Sequence, residues 1–406
     1  MHLETDERVN QVTVGFIAGD GVGPEVMRAA QRVVNRTLEL VSDGREVHWE
    51  ELLVGQKARD LTGEYLPNRA LYAMEELGLV LKGPLSTPVG EGIRSLTVQM
   101  RKALDLYACI RPIRYFPGVP SPVKHPEQID MVVFRENTED VYAGIEWETG
   151  STQARELSAY LRDLGVSVPD DAALGVKVMT PKGSERLIRA ALLYALGEGR
   201  RSVTMMHKGN IMKHTEGGFR RWGYELAARE FGGAVVLEGQ EPSDHAGLRQ
   251  VVLKDRIADN LFQQVLTHPG EFDVIAAPNL NGDYLSDALA AQVGGLGMAP
   301  GANVSERVAV FEATHGSAPK YAGQDRMNPC SLILSAAMLF RHIGWSDIAT
   351  VVEAGIVQAI AKGNVTYDLA RGNDRATVTS TTGFATAIIE GIQESFVSFE
   401  FSQGGR

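Results

Sequence analysis

Cysteine is almost absent: the 406 residues include only Cys109 and Cys330. That pair gives neither a disulfide framework nor a metal-binding spacing, so both read as reduced packing residues. Long apolar runs are missing as well. None approaches the roughly 18 residues that a membrane span requires. Positive charge is in deficit, with 40 Lys and Arg against 51 Asp and Glu and a net charge of −11. This balance works against general nucleic-acid binding or attraction to anionic membranes, so neither partner is expected. Small anions must be captured by local clusters of Arg and Lys instead. The run Met1 to Arg8 is polar and acidic, unlike a secretory signal or an Arg-rich transit peptide, and the cytoplasm is the expected compartment. A dinucleotide fingerprint is also lacking. Gly19-Asp-Gly-Val-Gly23-Pro24-Glu25 follows a strand and opens a helix, but Pro24 stands where that fingerprint needs glycine. A tight turn with Pro near the helix start explains the run.

What is present is enough apolar residue, 44% of the chain, to bury a substantial core over two or more domains. β-Branched runs at Val12–Ala18, Val47–Leu53 and Gly78–Leu81 alternate with helical patterns such as Pro24 to about Leu40. Further strands are expected at Leu106–Arg114, Met131–Arg135, Val176–Met179, Val203–Met206 and Val274–Ala277, with helices at Glu185–Leu196 and Gly217–Phe231. Such alternation predicts an α/β protein with a largely parallel sheet. Residues 145–169 are polar and irregular and read as an arm or small separate element, and residues 239–249 read as a surface loop.

Asp283 and Asp287 are the most informative residues. Four apart on a helix, their carboxylates leave one face and repel unless a cation neutralises them, which suits Mg²⁺ or Mn²⁺. A solvated first turn remains the alternative. Asp259 offers a third carboxylate. Upstream, Ser95 lies near a helix N-terminus with Arg101 within two turns, and Arg111 and Arg135 come from the next two strand-like runs. Three guanidiniums from three elements suit several carboxylates, although each alone also reads as a surface ion pair. Tyr142 and Lys208 are the acid/base candidates, Lys208 because it follows a strand end. His315, Lys320 and Tyr321 share a polar, Gly-rich loop, and Tyr367 and Arg371 stand four apart; such donors suit a phosphate monoester.

Together, Arg94-Ser95-Leu, Phe134 to Gly144, His207 to Lys213 and Asn279 to Asp287 resemble the metal-dependent β-decarboxylating dehydrogenases, the family of isocitrate and isopropylmalate dehydrogenases. The resemblance is greatest to its bacterial NADP-dependent, isocitrate-oxidising branch and runs from Gly19 to Arg371. It implies the isocitrate/isopropylmalate dehydrogenase-like fold, which is not a Rossmann fold. Residues 1–106 and 294–406 would form a large domain, 107–139 and 181–293 a small one, and 140–180 a clasp that interlocks a homodimer with shared sites. Isocitrate would be held by Ser95, Thr97, Arg101, Arg111 and Arg135. Tyr142 and Lys208 would be catalytic, with Lys208 serving the other subunit's site. Mg²⁺ or Mn²⁺ would sit on Asp283 and Asp287, with Asp259 from the second copy.

For NADP, the resemblance implies Lys82, Ser86, Thr87, His315 and Asn328 near the adenine and nicotinamide ends, and Lys320, Tyr321, Tyr367 and Arg371 on the 2′-phosphate. Two positions depart from the pattern: Thr97 stands in place of Asn, and His268 in place of an Arg that reaches the 2′-phosphate in enteric members. A sister enzyme acting on isopropylmalate or homoisocitrate is the nearest rival. Ser95 argues against isopropylmalate, whose alkyl group wants an apolar neighbour. A non-catalytic regulatory subunit is the rival from another class.

Overall fold

The computed structural model describes residues 10–86, 95–240 and 250–403, with side chains to 396. Eleven strands form one sheet: β1 (Gln11–Ile17), β2 (Glu46–Glu51), β3 (Leu79–Lys82), β4 (Ala108–Arg114), β5 (Asp130–Glu136), β6 (Ser202–His207), β7 (Val235–Leu237), β8 (Val251–Ile257), β9 (Val274–Ala277), β10 (Pro300–Val304) and β11 (Ala309–Ala313). The spatial order is β2-β1-β3-β11-β10-β4-β5-β9-β6-β8-β7. Pairing is parallel from β2 to β11 and again from β5 to β7, while β10 and β4 join the two halves by antiparallel ladders. The sheet is thus largely parallel, as expected, with antiparallel ladders only at its centre.

Burial follows from this order. Val274–Ala277 lies inside a parallel half and is apolar throughout, as a strand covered on both faces must be. The outermost strands carry either charge, as in Glu46–Glu51, or only three residues, as in Val235–Leu237; both features discourage further strand addition.

The described residues form twelve helices: α1 (Gly23–Val41), α2 (Gln56–Thr62), α3 (Asn68–Leu77), α4 (Leu96–Ala103), α5 (Thr152–Asp163), α6 (Pro181–Gly197), α7 (Glu216–Glu230), α8 (Ala258–Thr267), α9 (Asn279–Gln292), α10 (Cys330–His342), α11 (Ser346–Ala361) and α12 (Thr381–Gln403). Helices α1, α10, α11 and α12 enclose the largest apolar cluster, where Val33, Leu38, Ile333, Phe340 and Ile356 meet strand residues Val14 and Phe311. Both cysteines are buried free thiols.

One expectation needs revision. Val176–Met179 is not a strand; Val178 makes only an isolated bridge to Asp140. The polar stretch 145–169 contains α5, capped by Ser151, whose Oγ accepts the Ala154 N–H at 3.2 Å.

The Gly19–Gly23 turn fixes two loops against each other. Asp20 N–H donates to Pro84 O at 2.7 Å and Val22 N–H to Ser317 O at 2.9 Å, while the Asp20 carboxylate accepts Ser86 N–H at 2.8 Å. Gly21 has φ +59°, and a Cβ there would stand 2.0 Å from Ser317 O. Gly21→Ala is therefore expected to destabilise the fold by ~2 kcal/mol or more. An unshifted urea midpoint would contradict that contact.

Candidate active site

Helix α9 begins one residue after β9, and its second and third turns present Asp283 and Asp287 to guanidiniums from β4 and β5. Arg111 donates to Asp287 Oδ1 at 2.9 Å and Ser286 Oγ at 2.6 Å, and stands 3.9 Å from Asp283. Arg135 pairs with Asp283 and donates Nε and Nη2 to Asn279 Oδ1 at 2.9 and 2.8 Å. Its guanidinium lies 4.9 Å from the centre of the Tyr142 ring, and the Tyr142 hydroxyl donates to Asp283 Oδ2 at 2.5 Å. Burial pushes the Tyr142 phenol up, and Asp283 adds to the effect, so the hydroxyl is protonated at neutral pH.

The Asp287 carboxyl is also pushed up, first by burial, with Arg111 opposing and Asp283 adding. These side chains are 30% and 52% exposed, respectively for Asp283 and Asp287, so they remain open to a ligand. Two hard oxygen donors side by side on one helix face fit a divalent cation. Asp259 is not with them. It pairs with Lys208, which lies just beyond the end of β6, and neither touches the Asp283 cluster. Among the described residues no three His, Cys, Asp or Glu side chains gather as a metal site. The expected three-carboxylate set is thus not assembled within one chain.

Arg101, on α4, is buried against Glu312, which also takes Lys82 Nζ at 2.7 Å and Asn303 Nδ2 at 2.6 Å. Burial would raise the Glu312 carboxyl, but Lys82 and Arg101 hold it far below the ordinary range. The charge of Arg101 reaches Arg135, where burial first and Arg101 second lower the guanidinium's pKa. Buried Nε donors of Arg101 and Arg111 have no partner, a surplus that a carboxylate would satisfy. Ser95 caps α4, its Oγ accepting Val98 N–H at 3.5 Å, and Thr97 lies in the first turn.

A second group gathers around two phenols. Lys320 Nζ is 4.7 Å from the Tyr321 ring centre, and the Arg371 guanidinium is 6.0 Å from that of Tyr367. Arg326 joins them, 4.4 Å from Tyr367 and 5.9 Å from Tyr321. Asn328 is buried, donating to Asp368 Oδ2 at 3.0 Å and accepting Cys330 N–H at 2.9 Å, which ties the Tyr367 turn to the start of α10. Burial lowers the His315 pKa, keeping the ring neutral; its Nδ1 lies 3.0 Å from Gly316 O and its Nε2 has no partner. Ser86 Oγ donates to Ser317 Oγ at 2.7 Å, so the Lys82–Ser86 and His315–Ser317 segments adjoin. His268 is exposed beside Thr267 Oγ1, apart from this group. Thr87, like Arg94 of the Arg-Ser-Leu motif, lies outside the described residues.

Sequence reading missed Glu312 and Arg326. The available signal for Glu312 was a charge inside the fully buried strand Ala309–Ala313. Nothing in the run Asp325-Arg326-Met327 distinguishes Arg326 from a solvated surface residue.

Comparison with known proteins supplies independent support. Residues 13–388 match the isocitrate/isopropylmalate dehydrogenase family profile. A Staphylococcus aureus (strain Mu50) protein named isocitrate dehydrogenase [NADP] is 47% identical, aligning 95% of this chain with 96% of its own length. One of the same name from Pseudomonas aeruginosa is 50% identical, over 93% and 92% respectively. The crystal structure of isocitrate dehydrogenase from Methylococcus capsulatus superimposes with a TM-score of 0.78 at 36% identity, covering 94% of this chain and 99% of that one. The sheet of two parallel halves, the aspartate-bearing α9 and the match over nearly the whole length agree: this chain belongs to the isocitrate/isopropylmalate dehydrogenase family.

Proposed function

We propose that the chain oxidises and decarboxylates isocitrate to 2-oxoglutarate and CO₂, with NADP⁺ as hydride acceptor and Mg²⁺ or Mn²⁺ as the required ion. The observation that carries this reading is the convergence of Arg111, Arg135, Asp283, Asp287 and Tyr142 in one hydrogen-bonded cluster, with Arg101 alongside. Substrate carboxylates are held by Arg101, Arg111 and Arg135, whose bidentate geometry fixes orientation as well as charge, with Ser95 and Thr97 at the helix N-terminus. Asp283 and Asp287, with Asp259 from a second subunit, hold the divalent ion. That ion supplies Lewis-acid polarisation of the hydroxyl and charge stabilisation as CO₂ leaves.

Lys208, contributed to the site of the other subunit, handles the hydroxyl proton. Tyr142, protonated at neutral pH, returns a proton to C3. Lys320, Tyr321, Tyr367 and Arg371 recognise the 2′-phosphate, and Arg326 adds a third cation there. Lys82, Ser86, Thr87, His315 and Asn328 line the remainder of the cofactor site. Residues 1–106 and 294–406 act as the large domain, 107–139 and 181–293 as the small one, and 140–180 as the clasp of a cytoplasmic homodimer.

Substrate choice is tested by comparing kcat/KM for isocitrate and 3-isopropylmalate; a preference for the alkyl substrate would reject this assignment. Asp287→Asn keeps shape but removes charge, so the Mg²⁺ needed for half-maximal activity should rise at least about tenfold while the fold survives. An unchanged metal titration would remove Asp287 from the ion site. Because the ion needs the ionised carboxylate, apparent metal affinity should weaken as pH falls through the raised Asp287 pKa.

A further inference from the structure

Outside these contacts lies a charge cluster of two buried carboxylates and a half-buried lysine. Lys177 Nζ stands 2.5 Å from Asp140 Oδ1 and 2.9 Å from Glu216 Oε1. Both carboxylates are almost wholly buried, at 1% and 0% side-chain exposure, so the single cation between them offsets a repulsion that water cannot screen. Each carboxylate in turn grips backbone that leads into the site. Asp140 has φ +66°, a region that non-glycine residues adopt only when their surroundings impose it. Its Oδ1 accepts Val141 N–H at 2.7 Å and its Oδ2 accepts Leu280 N–H at 3.0 Å, while its own N–H reaches Val178 O. Tyr142 is two residues further on. Glu216 heads α7, where its Oε2 accepts the Lys208 backbone N–H and Asn281 Nδ2, the latter at 2.9 Å. Asn281 is two residues before Asp283.

We infer that Lys177 is a positioning residue for the reaction, the tie that sets the Tyr142 turn and the Lys208 loop at a fixed spacing through Asp140 and Glu216. This rests on the reading of Tyr142 and Lys208 as the acid/base pair. In a dimer with shared sites those two groups of one chain serve different sites, so Lys177 links the proton chemistry of one site to that of the other. The same cluster accounts for the irregular chain at Val176–Met179: the segment delivers an ammonium inward rather than extending a sheet.

The test uses the purified full chain with isocitrate, Mg²⁺ and NADP⁺. Lys177→Met should lower kcat by about 100-fold, the scale of a small misplacement of reacting groups, with KM for isocitrate changed less than about threefold. Lys177→Arg, which keeps the cation, should recover at least about tenfold of that loss. If Lys177→Met does not fold, Lys177→Met/Glu216→Gln replaces it, because this pair of changes keeps the cluster's net charge while still cutting the tie. It should fold and remain at least about tenfold below wild type in kcat. A Lys177→Met enzyme with wild-type kcat overturns the inference, as does a folded double variant with wild-type kcat, or a loss that appears only in KM or that Lys177→Arg leaves unrepaired. A wild-type chain inactive on isocitrate would instead overturn the function proposed above.

Discussion

Tyr142→Phe is expected to lower kcat by about 10²- to 10⁴-fold, the range for loss of a positioned general acid, while isocitrate and metal bind nearly as before. The ring is retained, so its contact with the Arg135 guanidinium survives, and Asp283 keeps its ion pair with Arg135 when the hydroxyl is removed. Binding and folding therefore change little. The deficit should also fall unevenly across the reaction. Oxalosuccinate decarboxylation and enol protonation should suffer more than oxalosuccinate reduction, because only the former need a proton at C3. Equal impairment of both partial reactions would reduce Tyr142 to a structural role.

The second large effect concerns the cofactor. Two phenols interleaved with Lys320, Arg326 and Arg371 offer several charge-assisted bonds to a 2′-phosphate. Each contributes on the order of 1.5–3 kcal/mol, and 1.4 kcal/mol is roughly tenfold, so several together should favour NADP⁺ over NAD⁺ by at least ~10³. His268 is exposed beside Thr267 Oγ1 and is not one of these donors. Lys320→Asp/Tyr321→Ile removes two donors and adds a carboxylate that repels the phosphate yet accepts ribose hydroxyls. The ratio of kcat/KM for NADP⁺ over NAD⁺ should collapse, chiefly through weaker NADP⁺ binding. A wild-type preference for NAD⁺, or a ratio that stays within about threefold in the double variant, would reject this clamp.

Legibility in the sequence follows the range of the interactions. Local patterns read through well: the wholly apolar Val274–Ala277 is a strand with the expected bounds, and the four-residue spacing of Asp283 and Asp287 brings both to Arg111. Patterns that lean on distant partners did not. Pro300–Val304 has little intrinsic strand character and is held by antiparallel ladders to β11 and β4, so the central reversal of the sheet left no local trace. Helix α5 buries only Ala154 and Ser158 fully, with Leu157 and Leu161 half-buried beside them, so its apolar stripe is short and easily lost among polar neighbours. Val176 and Val178 flanking Lys177 mimic strand alternation, yet the segment is shaped by two buried carboxylates far away in sequence. Arg326 and Glu312 were hidden for the same reason: their roles lie in which charges and rings they meet, and those partners lie on other segments.

The central claim is the reaction itself, and its products test it most directly. Purified chain supplied with isocitrate, Mg²⁺ and NADP⁺ should release CO₂, 2-oxoglutarate and NADPH in equal amounts, and none of them when the divalent ion is chelated. NADPH formed without matching CO₂, turnover that persists after chelation, or no turnover of isocitrate at all would contradict the account.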